Sequence, residues 1–304
     1  MHGGILHVNH IKDQIHCERA YRMGLSGKGI GVAVLDTGIF LHRDFDSRVT
    51  GFADMVNRRN FAYDDCGHGT HICGIIGGSG RMSGGRYSGI APGCNLIMVK
   101  VLDRKGNGYS SDVLAGISWV LERKEQLGIR ILNISVGACS KRGMSENSAL
   151  VKGVNRAWDA GLVVVVAGGN NGPRTMSITT PGISRKVITV GCSDDDREVL
   201  VGGNRMVDYS GRGPTAACIC KPDLVAPGCS VVSCSSRADK YTIKSGTSMS
   251  TPIVSGAVAL LLERFPDMSN KDVKLRLRES SVDIGLPRNQ QGWGLLDVGK
   301  MLER

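Results

Sequence analysis

The stretch Ile30-Gly31-Val32-Ala33-Val34-Leu35-Asp36-Thr37-Gly38, IGVAVLDTG, is an unbroken apolar run that stops on a carboxylate and a glycine turn. A run this short and rich in β-branched residues predicts a strand buried on both faces, because a strand with one wet face alternates apolar and polar residues. Four further runs have the same character: NLIMVKVLD (95–103), IRILNISVG (129–137), LVVVVAGGN (162–170) and KVITVGC (186–192). Helical patterns lie between them. SDVLAGISWVLERKEQLG (111–128) has Ser111 or Asp112 as its expected cap, and NSALVKGVNRAWDAG (147–161) is closed by a glycine. Doubly buried strands alternating with helices predict an α/β fold, a three-layer sandwich whose mostly parallel central sheet carries helices on both faces.

The chain is long and apolar enough to bury a substantial core, with 304 residues of which 41% are hydrophobic. Its 42 glycines are spread between the apolar runs, as many tight turns would require, and there is no internal repeat or low-complexity linker. A single domain over residues 1–304 is expected, with residues 1–20 as an N-terminal extension and first helix. The net charge of +10 comes from scattered basic residues without interleaved aromatics, which argues against a nucleic-acid partner and suits peptide or protein substrates, acidic ones included. No apolar run reaches membrane-spanning length and the N-terminus lacks the core of a signal peptide, so a cytoplasmic location is expected. In that compartment the ten cysteines would be free thiols. Cys218-x-Cys220 and Cys229-x4-Cys234 lack zinc-site spacing and histidine partners, which leaves packing as the expected role of these thiols.

In an open parallel sheet the ligand site lies beyond the carboxyl ends of the strands. The residues to inspect there are Asp36, Ser135 to Gly137 and Asn170. Each has an ordinary explanation, Asp36 as an acceptor in its own turn and Asn170 as a turn residue. His68, in CGHGTHICGIIGG (66–78), taken alone is a structural histidine. GTSMSTP (246–252) places four hydroxyl residues ahead of the apolar helix running through Val254 to Leu262. Together these residues supply a set. A serine hydroxyl needs a neutral imidazole to take its proton, the imidazole needs a carboxylate to fix its tautomer, and the oxyanion needs an amide donor.

VAVLDTG, GHGTHICGIIGG, LNISVG, VVVAGGNNG, KPDLVAPG and GTSMSTPIVSGAVALL, with GWGLLD (292–297) near the end, resemble the successive signature blocks of the subtilisin-like serine peptidases. The resemblance implies a subtilisin-like fold and serine endopeptidase activity through an acyl-enzyme, either in general proteolysis or in processing one precursor. It implies Asp36, His68 and Ser248 as triad, with Asn170 and the Ser248 N–H as oxyanion donors, and Thr247 ordering the turn. Substrate backbone would pair with Ser135, Val136 and Gly137, beside a pocket formed with Gly168, Gly169, Asn171 and Thr179. With Asn171 rather than an acid at the rim, an uncharged, medium-sized P1 residue is expected. The alternative is a catalytically silent peptide-binding module on the same fold.

The chemistry requires no cofactor, but many members carry structural calcium, for which Asp44 falls near a ligand position. The loop GGSGRMSGGRYSGIAP (77–92) lacks an Asn or Asp at its tip, so the alternative for Asp44 is a surface carboxylate. The match begins almost at Met1, which resembles the intracellular branch, so no large prodomain is expected. Pro252 is expected in the first helical turn, where a missing N–H costs little. Cys66, two residues before His68, is either a packing thiol or a point of sensitivity to oxidants and soft metals.

Overall fold

The computed structural model describes residues 8–137 and 146–303. Eleven strands occur among them: β1 (Gly31–Asp36), β2 (Val49–Asp54), β3 (Asn95–Lys100), β4 (Ile129–Ile134), β5 (Val163–Ala167), β6 (Ile188–Cys192), β7 (Val199–Val201), β8 (Asn204–Met206), β9 (Leu224–Ala226), β10 (Val231–Cys234) and β11 (Tyr241–Lys244). The helices are α1 (Val8–Gln14), α2 (Glu18–Arg22), α3 (His68–Gly77), α4 (Ser110–Arg123), α5 (Ala149–Asp159), α6 (Thr247–Arg264), α7 (Asn270–Ser280), α8 (Arg288–Gln291) and α9 (Val298–Met301).

Seven strands form one sheet in the order β2-β3-β1-β4-β5-β6-β9, every pair parallel. The α/β fold class is as expected, and so are the five strands anticipated from apolar runs. Two strands of the sheet had no such run. β2 lies at the edge with most of its residues partly exposed, so it never needed a continuous apolar sequence. β9 is three residues long. The order reverses at β1: the chain builds β2 and β3 on one side and then crosses to β4 on the other. The crevice beyond the carboxyl ends of β1 and β4 is the switch point at which such sheets bind ligands.

One continuous apolar core runs from Ile11 to Leu302 and includes both sheet faces. α6 passes through it, with fifteen of its eighteen residues buried. No described helix is long and apolar enough to cross a membrane.

Two local expectations, the α4 cap and the place of Pro252, are corrected, and α5 has a cap that the sequence reading did not name. α4 begins at Ser110, ahead of both expected caps; Tyr109 takes the cap position without a side-chain bond, and Asp112 instead faces the positive end of the helix from within its first turn. α5 is capped by Ser148, whose hydroxyl accepts from Val151 N. Pro252 is the sixth residue of α6, not part of the first turn, so its missing N–H removes an interior bond to the Ser248 carbonyl.

A polar pair ties β4 to α6 inside this core. Asn133 and Ser255 are both fully buried; Ser255 Oγ donates to Asn133 Oδ1 at 2.8 Å, and Asn133 Nδ2 donates to Ser135 Oγ at 2.9 Å. Asn133→Ala leaves two buried hydroxyls without this partner and is expected to lower unfolding free energy by about 1–3 kcal/mol. Urea denaturation in a Ser248→Ala background, which prevents self-digestion, measures it; an unchanged midpoint would show that the pair contributes nothing.

Candidate active site

Asp36 is the last residue of β1 and fully buried. His68 is the first residue of α3, with its side chain 24% exposed. Its Nδ1 lies 2.8 Å from Asp36 Oδ1 and 2.9 Å from Oδ2. An ionised carboxylate can only accept, so Nδ1 carries the hydrogen and Nε2 keeps its lone pair in the neutral ring. Burial works against the protonated ring, but the Asp36 charge and hydrogen bond outweigh it, and the imidazole sits above its ordinary value.

Asp64 makes this contact possible and escaped the sequence reading. Its Oδ1 accepts from Thr37 Oγ1, Cys66 N and Gly67 N, and its Oδ2 accepts from the N–H and hydroxyl of Thr70. One carboxylate therefore both caps α3 and ties it to the turn after β1. Lys100, fully buried and opposite Asp36 in the ladder, supports the same turn: its Nζ donates to the carbonyls of Thr37 and Leu102 and to Asp65 Oδ1. The only sequence signal for either was position, Asp64 four residues before His68 and Lys100 as a lone charge in an apolar strand.

Ser248 is the second residue of α6 and follows Gly246, whose φ of +138° strongly favours glycine. Asn170 Oδ1 accepts from both the N–H and the hydroxyl of Thr247, each at 3.0 Å, which orients the amide. The amide nitrogen stands 3.2 Å from where a Cβ on Gly246 would lie. Ser248 Oγ donates to the Ser135 carbonyl at 2.7 Å, so its single proton is directed there and not to His68. Of the neighbouring hydroxyls, Thr251 Oγ1 donates to the Thr247 carbonyl, while Ser250 Oγ is buried without a partner.

A cleft of about 190 Å³ opens beside Ser248, lined by Ser135, Gly137, Ala167, Gly169, Asn170, Asn171, Thr179, Thr247 and Ser248. Thr179 closes its base: a Cβ on Gly137 would come within 2.3 Å of its hydroxyl, and one on Gly169 within 2.4 Å of its methyl. The expected lining residues are thus brought together with two exceptions. Gly168 is buried behind the cleft, its carbonyl accepting from Thr179 N at 2.9 Å. Val136 faces an adjoining cleft shared with Leu102, Val113, Ile134, Leu150 and Pro181.

Asp44 is corrected on both counts, since it is neither a surface carboxylate nor suited to calcium. It is fully buried; Oδ1 accepts from Met82 N at 2.9 Å and Oδ2 from Tyr241 Oη at 2.7 Å. The Arg48 guanidinium occupies the carbonyls of Asp44, Gly77 and Cys94 that a cation would need. Calcium takes six to eight oxygen ligands, and this neighbourhood offers one fully engaged carboxylate beside His42 and Cys234. Cys66 is half-buried, and burial, reinforced by Asp64 and Asp36, pushes its thiol up; it is not an activated thiolate.

Residues 27–294 match the model of the subtilase family. The chain is 42% identical over 285 residues to serine protease AprX of Bacillus subtilis strain 168, an alignment covering 88% of this chain and 64% of AprX. It is 32% identical to subtilisin DY of Bacillus licheniformis, over 93% of this chain and 94% of that protein. Among solved structures it is similar to sphericase, with TM-score 0.75 and 31% identity over 90% of this chain and 93% of the other. On this sequence match and this fold, the chain belongs to the subtilase family and carries its serine endopeptidase domain.

Proposed function

We propose that the protein hydrolyses internal peptide bonds with Ser248 as nucleophile, His68 as general base and Asp36 as the group that orients the imidazole. The observation that carries this is the Asp36–His68 hydrogen bond at the carboxyl end of β1, together with Ser248 seated on the Ser135 carbonyl after β4 and the Thr247-oriented Asn170 amide after β5. In this mechanism Ser248 Oγ leaves the Ser135 carbonyl and takes His68 Nε2 as its acceptor. The proton then passes to His68 as Oγ attacks, and Asp36 stabilises the imidazolium. The carbonyl oxygen becomes an oxyanion held by Asn170 Nδ2 and by the Ser248 N–H, a first-turn donor without an intrahelical acceptor at the positive end of α6. The imidazolium protonates the leaving amine, and water then hydrolyses the acyl-enzyme by the same route.

Substrate backbone lies along Ser135 to Gly137, and the P1 side chain enters the cleft floored by Thr179. Among the described residues, the lining of that cleft holds no acid to match Lys or Arg, which supports an uncharged P1 residue. The +10 charge supports acidic segments as preferred substrates. All nine described cysteines are free thiols, which supports a reducing compartment and therefore the cytoplasm.

Intact mass after a fluorophosphonate probe tests the reading. One adduct on wild type and none on Ser248→Ala is expected; no adduct on folded wild type would favour the silent peptide-binding module. On fluorogenic peptides varied at P1, uncharged residues are expected to exceed Arg. Asn170→Ala should lower kcat by roughly 10²–10³, the range known for losing such a donor in subtilisin itself, and wild-type turnover would remove Asn170 from the oxyanion site.

The pH dependence has a definite sign. His68 must be neutral to act as base, and its folded value is raised, so kcat/KM is lost as pH falls through a midpoint above 6.5. Asp36→Asn removes the attraction but keeps the burial, so the acid limb should move to lower pH while kcat falls by about 10⁴. A limb that stayed in place would show that Asp36 does not set the His68 equilibrium.

A further inference from the structure

Four side chains outside the peptidase site converge without an assigned role. Cys192 ends β6, Asp194 follows it, Cys229 lies between β9 and β10, and Tyr209 packs against both sulfurs; their exposures are 0%, 9%, 2% and 0%. Tyr209 Oη is 3.2 Å from Cys192 Sγ and 3.1 Å from Cys229 Sγ. Asp194 Oδ1 accepts from Cys192 Sγ at 3.1 Å, Gly228 N at 2.7 Å and Cys229 N at 3.1 Å, and Cys229 Sγ donates to the Asp194 carbonyl at 2.8 Å. The other carboxylate oxygen, Oδ2, is buried with no hydrogen-bond partner. An orphaned carboxylate oxygen is costly in such a place and calls for a positive partner.

We propose that Cys192, Asp194 and Cys229 bind one thiophilic divalent cation of the zinc class, with Tyr209 Oη facing the fourth position. The three ligand atoms all lie within 4.8 Å of one another, and the centre of a triangle with that edge is about 2.8 Å from each corner. Zinc–thiolate and zinc–carboxylate bonds of about 2.3 and 2.1 Å are then reached by a contraction of about half an ångström. Two sulfurs select a soft cation over calcium or magnesium. Binding exchanges one dication for two thiol protons released to solvent, with no change of oxidation state. The buried net charge is −1 before and after, because one carboxylate becomes one carboxylate and two thiolates around M²⁺. The His42, Asp44 and Cys234 cluster differs: both Asp44 oxygens are engaged, and His42 Nδ1 accepts Asp44 N while Nε2 donates to the Lys240 carbonyl.

The pair is not legible from spacing, since 37 positions separate the two cysteines (229 − 192). The site also touches the nucleophile loop, because Gly228, held by Asp194, accepts Gly246 N through its carbonyl at 3.0 Å.

Cobalt(II) titration of the chelator-stripped Ser248→Ala chain tests the proposal without reference to activity. One equivalent should raise a sulfur-to-cobalt charge-transfer band that zinc bleaches, and Cys192→Ala or Cys229→Ala should weaken binding by about 10-fold or more. Loss of the band in Cys218→Ser/Cys220→Ser instead would place the metal on that exposed pair and overturn the proposal, as would the absence of any band. X-ray absorption of the zinc-loaded chain needs no variant: two sulfur neighbours support the site, and four sulfurs or none refute it.

Discussion

The site depends on how closely α3 approaches the end of β1. A Cβ on Gly69 would stand 2.2 Å from the Gly38 carbonyl, so only glycine lets the helix begin where His68 reaches Asp36. Asp64 fixes this approach, since its five accepted bonds join the first turn of the helix to Thr37 and to the loop before it. Lys100 holds the same turn from the neighbouring strand. With these contacts in place the imidazole has one tautomer and one orientation. Without them the two residues are a buried acid and a loosely held ring.

The parallel sheet explains why residues so far apart in sequence meet. When every strand runs in one direction, all carboxyl ends share an edge, and the reversal of order at β1 opens a crevice there. β1 delivers Asp36, β4 delivers Ser135 to Gly137, and β5 delivers Gly169 and Asn170. Ser248 arrives from the opposite sense, at the start of a buried helix whose N–H groups and dipole point into the same crevice. Asn170 and the Ser248 N–H are held in place because strand ends and a helix start embedded in one apolar core have little freedom to move.

Buried polar groups of this fold are mostly, though not everywhere, closed into networks. Asn133 with Ser255, and Asp44 with Tyr241, Met82 N and its neighbours, are closed networks in which each carboxylate or amide oxygen has a donor. At the Asp44 corner the Arg48 guanidinium gathers three carbonyls, a protein cation where a hard metal would need those oxygens for itself. The cluster around Asp194 differs from these networks, with one carboxylate oxygen left over beside two thiols and a phenol.

The sequence by itself determined the α/β class and five of the seven sheet strands, and it named the residues on which the proposed chemistry rests. Doubly buried parallel strands must be continuous apolar runs, and residues at their ends must lie at the ligand edge. Serine, histidine and a carboxylate in these blocks are the parts acyl transfer requires. It could not show β2 or β9, because an edge strand and a three-residue strand need no such run. It misplaced Pro252 and the α4 cap because both depend on where a helix begins, and helix boundaries are where local signals are weakest. Only the tertiary structure decided that Ser248 Oγ rests on the Ser135 carbonyl, that Asp64 and Lys100 brace the histidine, that Asp44 is sealed inside the core, and that Cys192 meets Cys229. Each of these is a contact between segments distant in sequence, made when helices and loops close over the sheet, and pattern along a chain carries no information about which distant side chains that closure brings together.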